Sequence, residues 1–335
     1  MKKTVLILIG ALLMSVIFVA CRDEDNSSSE NSSGSTENIT WGAASLGSNA
    51  QVIATAISDI VNNEAEGINM SVQATGGSSE NPRLMQNEEI DIAHATEAYN
   101  ATKGIENFDG EEPTELWALF SMYSNEFVWL VMEDSDIETV EDLEGKKVSI
   151  GPPGSGTTVM SEVILEAYDI EVDESNLGYD ESVDALKDGV VDAIGNFSSS
   201  GIPSPSLEQL DQSASYRVLP MDEDVLDIAY QEYPDYSESI IPKDSFKGIK
   251  EDFPTFASFS IEYADSRMSD DVAYEIVKEL YENKDKLESY HQLAGKMDEE
   301  SALDGIPEDV PVHPGAAKYF KEIGVWDDDL SIGER

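Results

Sequence analysis

Along the chain, segments in which apolar residues recur at every second position alternate with segments in which they recur every three to four positions. Stretches that alternate at every second position, or that cluster β-branched and aromatic residues, predict strands. These strands are expected at residues 39–44, 68–74, 90–95, 117–132, 146–150, 191–194, 216–219 and 253–261. Apolar positions three and four residues apart predict helices at residues 52–61, 84–85, 158–168 and 182–187 and a mostly helical tail from residue 270. The succession of both kinds predicts an α/β fold.

The predicted elements form two consecutive α/β blocks followed by the helical tail. Two such blocks predict two lobes with a cleft between them, because ligands of open α/β sheets bind beyond the carboxyl ends of the strands. The long strand at residues 117–132 is interrupted by Ser124 and Asn125. We expect a hinge at this interruption and a second one in the stretch before Phe253.

An unbroken apolar run stands at the start of the chain, between Lys2-Lys3 and Cys21. A basic start, an apolar run short for a membrane span and a small residue before the cleavage point are typical of an export signal. We interpret residues 1–20 as a signal peptide and Cys21 as a lipidation site that holds the protein at the outer face of the cell membrane. The alternative is an uncleaved anchor with an incidental cysteine, and Phe18 is less usual than leucine at its position.

The residues after Cys21 are polar and acidic up to residue 38, and none carries a large apolar side chain. Such a segment cannot bury enough surface to offset the entropy of ordering. Residues 21–38 are therefore predicted to be the lipidated cysteine followed by a flexible acidic linker, and folding is expected to begin near residue 39.

The formal charge of −49 arises from 69 acidic and 20 basic residues that are spread along the whole chain. Repulsion of this size destabilises a compact state unless salt screens it. We therefore expect a protein adapted to high salt. Nucleic acid is excluded as a partner, because binding to phosphates needs a basic surface.

Three loops share one pattern, in which a strand leads through Gly, Ser and Thr residues into a helix. They are residues 44–49, 75–81 and 151–158. A helix start offers free N–H groups and a positive dipole end, so three of them around one cleft can hold a small anion. Each loop alone is more often a structural helix cap. The third is not a nucleotide-binding P-loop, because Thr157 stands where lysine is required.

Nothing in the sequence indicates an enzyme. His94, His291 and His313 are scattered, and we expect His94 to lie in the core or in the cleft wall. The motifs of zinc peptidases and serine hydrolases are missing, and the acidic run at residues 327–329 lacks the spacing of a calcium loop. No catalytic residue, metal site or cofactor is predicted.

Several stretches together resemble the TAXI-type solute receptors of TRAP transporters. They are Ala74-Thr75-Gly76-Gly77-Ser78-Ser79-Glu80-Asn81, Asp91-Ile92-Ala93 with Glu97-Ala98-Tyr99, residues 142–157, residues 184–193 and Val312-His313-Pro314-Gly315-Ala316. The resemblance runs from about residue 40 to residue 326. It implies a two-lobed type II periplasmic-binding-protein fold, with lobe 1 at residues 39–126 and 250–335 and lobe 2 at residues 127–249.

The same resemblance implies a receptor that captures a small organic anion, such as a glutamate-like amino acid or a dicarboxylate. It would deliver this solute to an ion-gradient-driven TRAP permease, and we expect it to act as a monomer. The alternatives are a ligand-sensing lipoprotein or an enzyme built on the same scaffold.

The ligand contacts that the resemblance implies are Ala44, Ser45, Ser48, Gln51, Gly76, Gly77, Ser78, Asn81, Thr96, Glu97, Tyr99, Ser155, Gly156, Thr157, Asn196 and Ser198. The chain departs from the family pattern at Ala50-Gln51, where relatives commonly carry two aromatic residues, and at Thr96, where asparagine is frequent. These departures change the pocket, so the solute does not follow from the resemblance. Arg83 is expected to be either a further contact or a structural residue.

Overall fold

The computed structural model describes residues 36–111, 114–233 and 235–335. The predicted signal peptide, Cys21 and nearly all of the linker lie outside the described residues. The strands are β1 (Glu37–Gly42), β2 (Ile68–Gln73), β3 (Ile92–Ala95), β4 (Leu116–Met132), β5 (Lys147–Ser149), β6 (Asp173–Ser175), β7 (Ala193–Ser199), β8 (Ile202–Pro203), β9 (Tyr216–Val218), β10 (Tyr236–Ile241) and β11 (Phe253–Asp265). The α-helices are α1 (Asn49–Glu64), α2 (Asn81–Gln86), α3 (Ala98–Lys103), α4 (Gly156–Ala167), α5 (Tyr179–Lys187), α6 (Pro205–Ser213), α7 (Glu223–Glu232), α8 (Asp270–Glu282), α9 (Lys284–Glu288) and α10 (Pro314–Ile323).

A first parallel group of strands has β1 in the middle, between β2 and β3. Trp41 of β1 stands opposite Val72 of β2 and Ile92 of β3. Parallel neighbours need a crossover connection, and α1 provides it between β1 and β2. Its apolar residues Ile53 and Ile57 are fully buried, so the helical periodicity seen in the sequence marks the face that covers the sheet.

A second parallel group has β5 in the middle, between β6 and β7. Val148 of β5 pairs with Glu174 of β6 and Ala193 of β7. Helix α4 connects β5 with β6, and α5 connects β6 with β7. Met160 and Ile164 of α4 are fully buried, as the crossover of a parallel sheet requires.

The two long strands β4 and β11 join the two parallel groups into one sheet. β11 runs antiparallel between β3 and β4, and β4 runs antiparallel to β7. The interruption predicted at Ser124 and Asn125 is wrong, because β4 is continuous over 17 residues and these two pair with Phe259 and Ser258 of β11. Backbone hydrogen bonds continue the strand through Ser124 and Asn125 although their side chains are polar. The spacing of apolar residues cannot reveal such backbone bonds.

The irregularities of the long strand pair lie a few residues earlier along β4. The register shifts between Ser260 and Ile261 and again between Glu262 and Tyr263 of β11. Each shift leaves an extra residue on β4, and such bulges bend a strand and increase its twist. The irregular geometry of the strand pair therefore lies at these register shifts, and the predicted hinge positions remain predictions.

The buried apolar residues of β4 belong to different core clusters along the strand. Phe120 packs into a large cluster with α1, α8 and α10. Beyond the polar residues 124–126, Phe127 and Trp129 enter a second cluster, and Val128 and Leu130 enter a third. Alternate residues of one strand point to opposite faces, so both faces of the second half are covered. The predicted lobe boundaries at residues 126 and 249 stay a prediction.

The sequence patterns missed two helices and one strand, and they predicted a more helical C-terminal tail than the structure has. Helices α6 and α7 and strand β10 fill residues 205–241, where only one short strand was predicted. The tail from residue 270 is helical in α8, α9 and α10, but residues 297–313 form turns and extended segments. Within residues 36–111, 114–233 and 235–335, none of the helices combines the length and the apolar character that crossing a bilayer requires.

Candidate functional site

A small cavity lies between the two halves of the sheet. Its volume is about 30 Å³, which is room for about two water molecules. It is lined by Ala44, Ser48, Asn49, Ala50, Gly76, Gly77, Ser78, His94, Thr96, Tyr123, Asn125, Ser155, Gly156, Tyr179, Phe197, Ser199, Ser204 and Ser260. Pockets for organic ligands are about ten times larger or more. The structure therefore shows a closed cleft whose walls must separate to admit a solute.

The start of α1 forms one wall of the cavity. Ser48 caps this helix, because its Oγ accepts a hydrogen bond from the N–H of Gln51 at 3.2 Å. Asn49 follows it and reaches across the cleft, where its Nδ2 donates to Ser199 Oγ at 3.0 Å. The Oδ1 atom of Asn49 is buried and makes no hydrogen bond. The first wall thus presents a helix N-terminus and one unused acceptor.

The start of α4 forms the opposite wall of the cavity, and a serine caps this helix as Ser48 caps α1. Ser155 caps the helix by accepting a hydrogen bond from the N–H of Thr158 at 3.3 Å. Thr157 Oγ1 lies 2.7 Å from the hydroxyl of Tyr179, and burial raises the pKa of Tyr179 to about 12. Tyr179 therefore stays neutral, and the second wall also offers hydrogen-bond donors and a positive dipole end.

The glycines at the cavity let the two walls touch. A Cβ on Gly76 would lie 2.4 Å from the carbonyl oxygen of Pro153, and one on Gly156 would lie 2.5 Å from Thr96 Oγ1. Beside this contact the N–H of Ser79 donates to the carbonyl of Gly154 at 2.9 Å. The loop at residues 76–79 and the loop at residues 153–156 are therefore in backbone contact, which no larger residue at these positions permits.

The polar lining consists mainly of hydroxyl groups. Thr96 Oγ1 lies 2.9 Å from Ser78 Oγ and 2.5 Å from Glu97 Oε1. Tyr123, which lines the cavity from β4, is buried and its hydroxyl makes no hydrogen bond. Among the lining residues of the described chain there is no lysine or arginine. An anion held here would depend on helix N-termini, hydroxyl groups and His94.

His94 belongs to a buried polar chain that spans three strands. Its Nδ1 lies 2.9 Å from Glu262 Oε1, and Glu262 Oε2 accepts a hydrogen bond from Trp41 Nε1 at 2.6 Å. Glu262 is fully buried, and each of its two carboxylate oxygens lies at hydrogen-bond distance from a ring nitrogen. His94 lines the cavity on its other side. Because a carboxylate only accepts hydrogen bonds, this contact places the proton of the neutral ring on Nδ1.

Two further carboxyl groups lie beside the cavity. Burial raises the pKa of Glu97 to about 8, against its hydrogen bond with Thr96, and nearby Asp235 adds to the rise. Burial also raises the pKa of Asp235 to about 7, although it accepts hydrogen bonds from the N–H groups of Tyr99 and Asn100. Asp235 is partly exposed as a residue, but its Oδ2 is buried. Near neutral pH this pair holds protons that exposed carboxyl groups lose.

The structure brings together half of the residues that the sequence predicted as contacts. Those that line the cavity are Ala44, Ser48, Gly76, Gly77, Ser78, Thr96, Ser155 and Gly156. Those that lie outside the lining are Ser45, Gln51, Asn81, Glu97, Tyr99, Thr157, Asn196 and Ser198. Residues from all three glycine-rich loops thus line one cavity, and contact with a ligand stays a prediction for each residue.

Most of the residues outside the lining have structural partners. Gln51 Nε2 donates to Thr55 on the outside of α1. Asn81 is fully buried, and its Nδ2 donates to the carbonyls of Gly42, Ala43 and His94, each at 2.8 Å.

Two residues of β7 and the arginine near the second glycine loop also have structural partners. Asn196 Oδ1 accepts from the N–H of Phe197, and Ser198 Oγ donates to Glu126 at 2.8 Å. Arg83 binds Glu111 and stacks on Phe108, so it is structural.

Besides His94, which was expected in the core or the cleft wall, nine lining residues were not among the predicted contacts. Two of them, Asn49 and Ala50, lie at the start of α1, next to the first predicted loop. The others reach the cavity from the long strands and from the second half, and they are Tyr123, Asn125, Tyr179, Phe197, Ser199, Ser204 and Ser260. Asn125 lies in the polar stretch of β4 where the sequence predicted a break in the strand and a hinge. That polar stretch was the signal available for the strand residues, and in the structure Asn125 lines the cavity.

The two halves joined by β4 and β11, with a cleft between them, define the two-lobed fold of periplasmic binding proteins. Residues 41–324 match the model of the NMT1-like family, and the chain belongs to this family.

Solved structures with a similar course of the chain have low sequence identity. A protein of Bordetella bronchiseptica RB50 has a TM-score of 0.50 at 17% identity, over 88% of this chain and 91% of that one. An ancestral arginine-binding protein bound to arginine has a TM-score of 0.48 at 14% identity, over 78% of this chain and 97% of that one. A putative L-cystine ABC transporter protein from Listeria monocytogenes has a TM-score of 0.48 at 12% identity, over 78% and 98%. At identities this low a structural likeness shows the fold alone, and the protein of Bordetella bronchiseptica, with its TM-score of 0.50, supports this fold.

Proposed function

We propose that the protein is an extracytoplasmic receptor for a small organic anion, such as a glutamate-like amino acid or a dicarboxylate. The observation that carries this proposal is the meeting of two helix N-termini, those of α1 and α4, at one closed cavity. Both helices are longer than three turns, so both present a positive dipole end and free N–H groups. The unused acceptor of Asn49 and the unbonded hydroxyl of Tyr123 mark the cavity as a place for a polar solute.

Closure around the solute follows from the contacts between the walls. The bond from Ser79 to Gly154 and the bond from Asn49 to Ser199 connect opposite sides of the cleft. A solute that touches both helix starts binds the closed arrangement more tightly than an open one. Binding therefore shifts the population toward closure.

The partner we propose is a TRAP permease, as the resemblance to TAXI-type receptors implies. Acylated Cys21 and the acidic linker would keep a monomeric receptor near this permease at the outer face of the membrane. The substitution Cys21→Ser tests the anchor, because it should release the protein from the membrane fraction into the medium. Retention of the Cys21→Ser protein in the membrane fraction would indicate an uncleaved span instead.

A thermal-shift panel in molar NaCl tests the ligand class. Amino acids, dicarboxylates, sugars and simple cations should be compared, and we expect melting to rise with one or more of the organic acids only. A shift with sugars or cations alone would refute the anion proposal. Chemical conversion of a bound acid would favour an enzyme on this scaffold, whereas binding without transport in a permease-containing vesicle would favour a sensor.

A further inference from the structure

We propose that His94 recognises the carboxylate of the solute, and that each anion binds together with one proton. This inference rests on the proposed function and names the group that supplies the positive charge. It starts from the composition of the cavity wall. Among the described lining residues, His94 is the one side chain that can carry a positive charge, because neither lysine nor arginine is present.

The buried chain behind His94 fixes how the ring can act. Glu262 Oε1 holds Nδ1 at 2.9 Å, and Trp41 Nε1 holds the other oxygen of the same carboxylate at 2.6 Å. The hydrogen bond from Nδ1–H to Glu262 leaves Nε2 as the ring nitrogen available to a solute in the cavity that His94 lines. In the neutral ring Nε2 is an acceptor and repels a carboxylate oxygen. After protonation it becomes a donor with a full charge, so anion binding and proton binding favour each other.

Among the described residues that line the cavity, no side chain other than His94 can supply a cation. The titratable groups that share the cavity wall or the buried chain with His94 are Glu262 on β11, Tyr123 on β4 and Tyr179 on α5, and Glu97 and Asp235 lie beside the cavity. None of them becomes positive on protonation. Glu262 stabilises the charged ring, since a buried carboxylate and a protonated imidazole at hydrogen-bond distance compensate each other. An anion that enters while His94 is neutral would instead add a second negative charge near the buried carboxylate of Glu262.

Calorimetry with L-glutamate and succinate as probes tests the proposal on the full chain in detergent and molar NaCl. Titrations at pH 6, 7 and 8, in buffers that differ in ionisation enthalpy, measure the protons taken up. Where one proton is bound with each anion, affinity falls about tenfold per pH unit as the pH rises. We expect this slope in the wild type and in the control His291→Gln, whose ring lies outside the cavity lining, and its loss in His94→Gln.

The outcomes separate this inference from the proposed function. Equal pH slopes in the wild type and in His94→Gln would overturn the role of His94 and leave the receptor for anions intact. Failure of every acid in the thermal-shift panel and of both probes to bind at any pH would overturn the ligand class and the role of His94 together.

A measurement on the unaltered protein covers the case in which His94→Gln fails to fold. Nitrogen-15 NMR of the histidine rings should show the His94 proton on Nδ1 without solute and protons on both nitrogens at saturation with the acid that binds. A proton on Nε2 without solute, or an unchanged ring at saturation, would overturn the proposal.

Discussion

The substitution Gly156→Ala adds one methyl group at the point where the walls of the closed cavity touch. Gly156 is the first residue of α4, directly after the cap Ser155. Its new Cβ would lie 2.5 Å from Thr96 Oγ1 and 3.0 Å from Glu97 Oε1, whereas ordinary contacts begin near 3.4 Å. Thr96 Oγ1, or the wall that carries it, must therefore move by about 0.9 Å to reach ordinary contact. Rotation of Thr96 alone would break its hydrogen bonds with Ser78 and Glu97.

The effect on binding should far exceed the effect on folding. Overpacking by one methyl group costs about 1–3 kcal/mol, and this cost applies only when the cleft is closed. If the solute binds the closed state, affinity falls by about 5- to 150-fold. In an open cleft the methyl meets no opposite wall, and alanine is a better helix residue than glycine by up to about 1 kcal/mol. Where the solute-free cleft is open, the stability of the protein should therefore be unchanged or slightly higher.

Calorimetry with the acid that shifts the melting of the wild type, together with urea unfolding of the free protein, checks both halves of the expectation. The matched control is Gly178→Ala, since Gly178 precedes α5 and nothing lies within 4 Å of its added Cβ. Wild-type affinity in Gly156→Ala would refute the reasoning, because binding would then not require the wall contact seen here.

Three further expectations concern stability. Because the pKa of Glu97 is raised from 4.5 to about 8, the folded state binds a proton that the unfolded state lacks between these values. Stability should fall as pH rises from about 4.5 to 8, by up to about 1.4 kcal/mol per unit for this group. Urea unfolding of Glu97→Gln should show a shallower fall, and an unchanged slope would exclude Glu97 as its source. Asn81→Ala removes the donor of three buried carbonyls and should cost about 3 kcal/mol, with Gln51→Ala as an exposed control near the wild type. Melting should rise with NaCl from low to molar concentration because the charge of −49 is screened, and a flat curve would refute adaptation to salt.

The fold was predictable where the signal is local. The apolar spacing from Val52 to Val61 gave the covering face of α1, and the alternation in residues 68–74 gave β2. The place of β11 between β3 and β4 was not readable, because strand pairing depends on residues more than a hundred positions apart. Periodicity also cannot reveal that Ser124 and Asn125 continue a strand, since their hydrogen bonds are made by the backbone.

The candidate site also has parts that could be predicted from local sequence and parts that could not. Ser48 and Ser155 could be recognised as caps, because a serine before a helix start has a local meaning. The partners across the cleft could not, since Asn49 meets Ser199 and His94 meets Glu262 only after both halves have folded. The element that can be read locally is the short Gly-Ser-Thr loop, and residues from distant strands complete its chemistry.

The charge of the whole molecule and the charge of the site act in opposite directions on an anionic solute. The net charge of −49 repels an anion at long range, whereas on the proposed function the helix ends, and His94 once protonated, would attract it only inside the cavity that they line. Salt shortens the range of the first effect, from about 10 Å at 0.1 M to about 3 Å at 1 M. It affects the buried contacts much less. The association rate of L-glutamate, measured by stopped-flow fluorescence, should therefore rise with NaCl and then level off near molar salt. A rate that falls across this range would show that the acidic surface does not oppose capture of the solute.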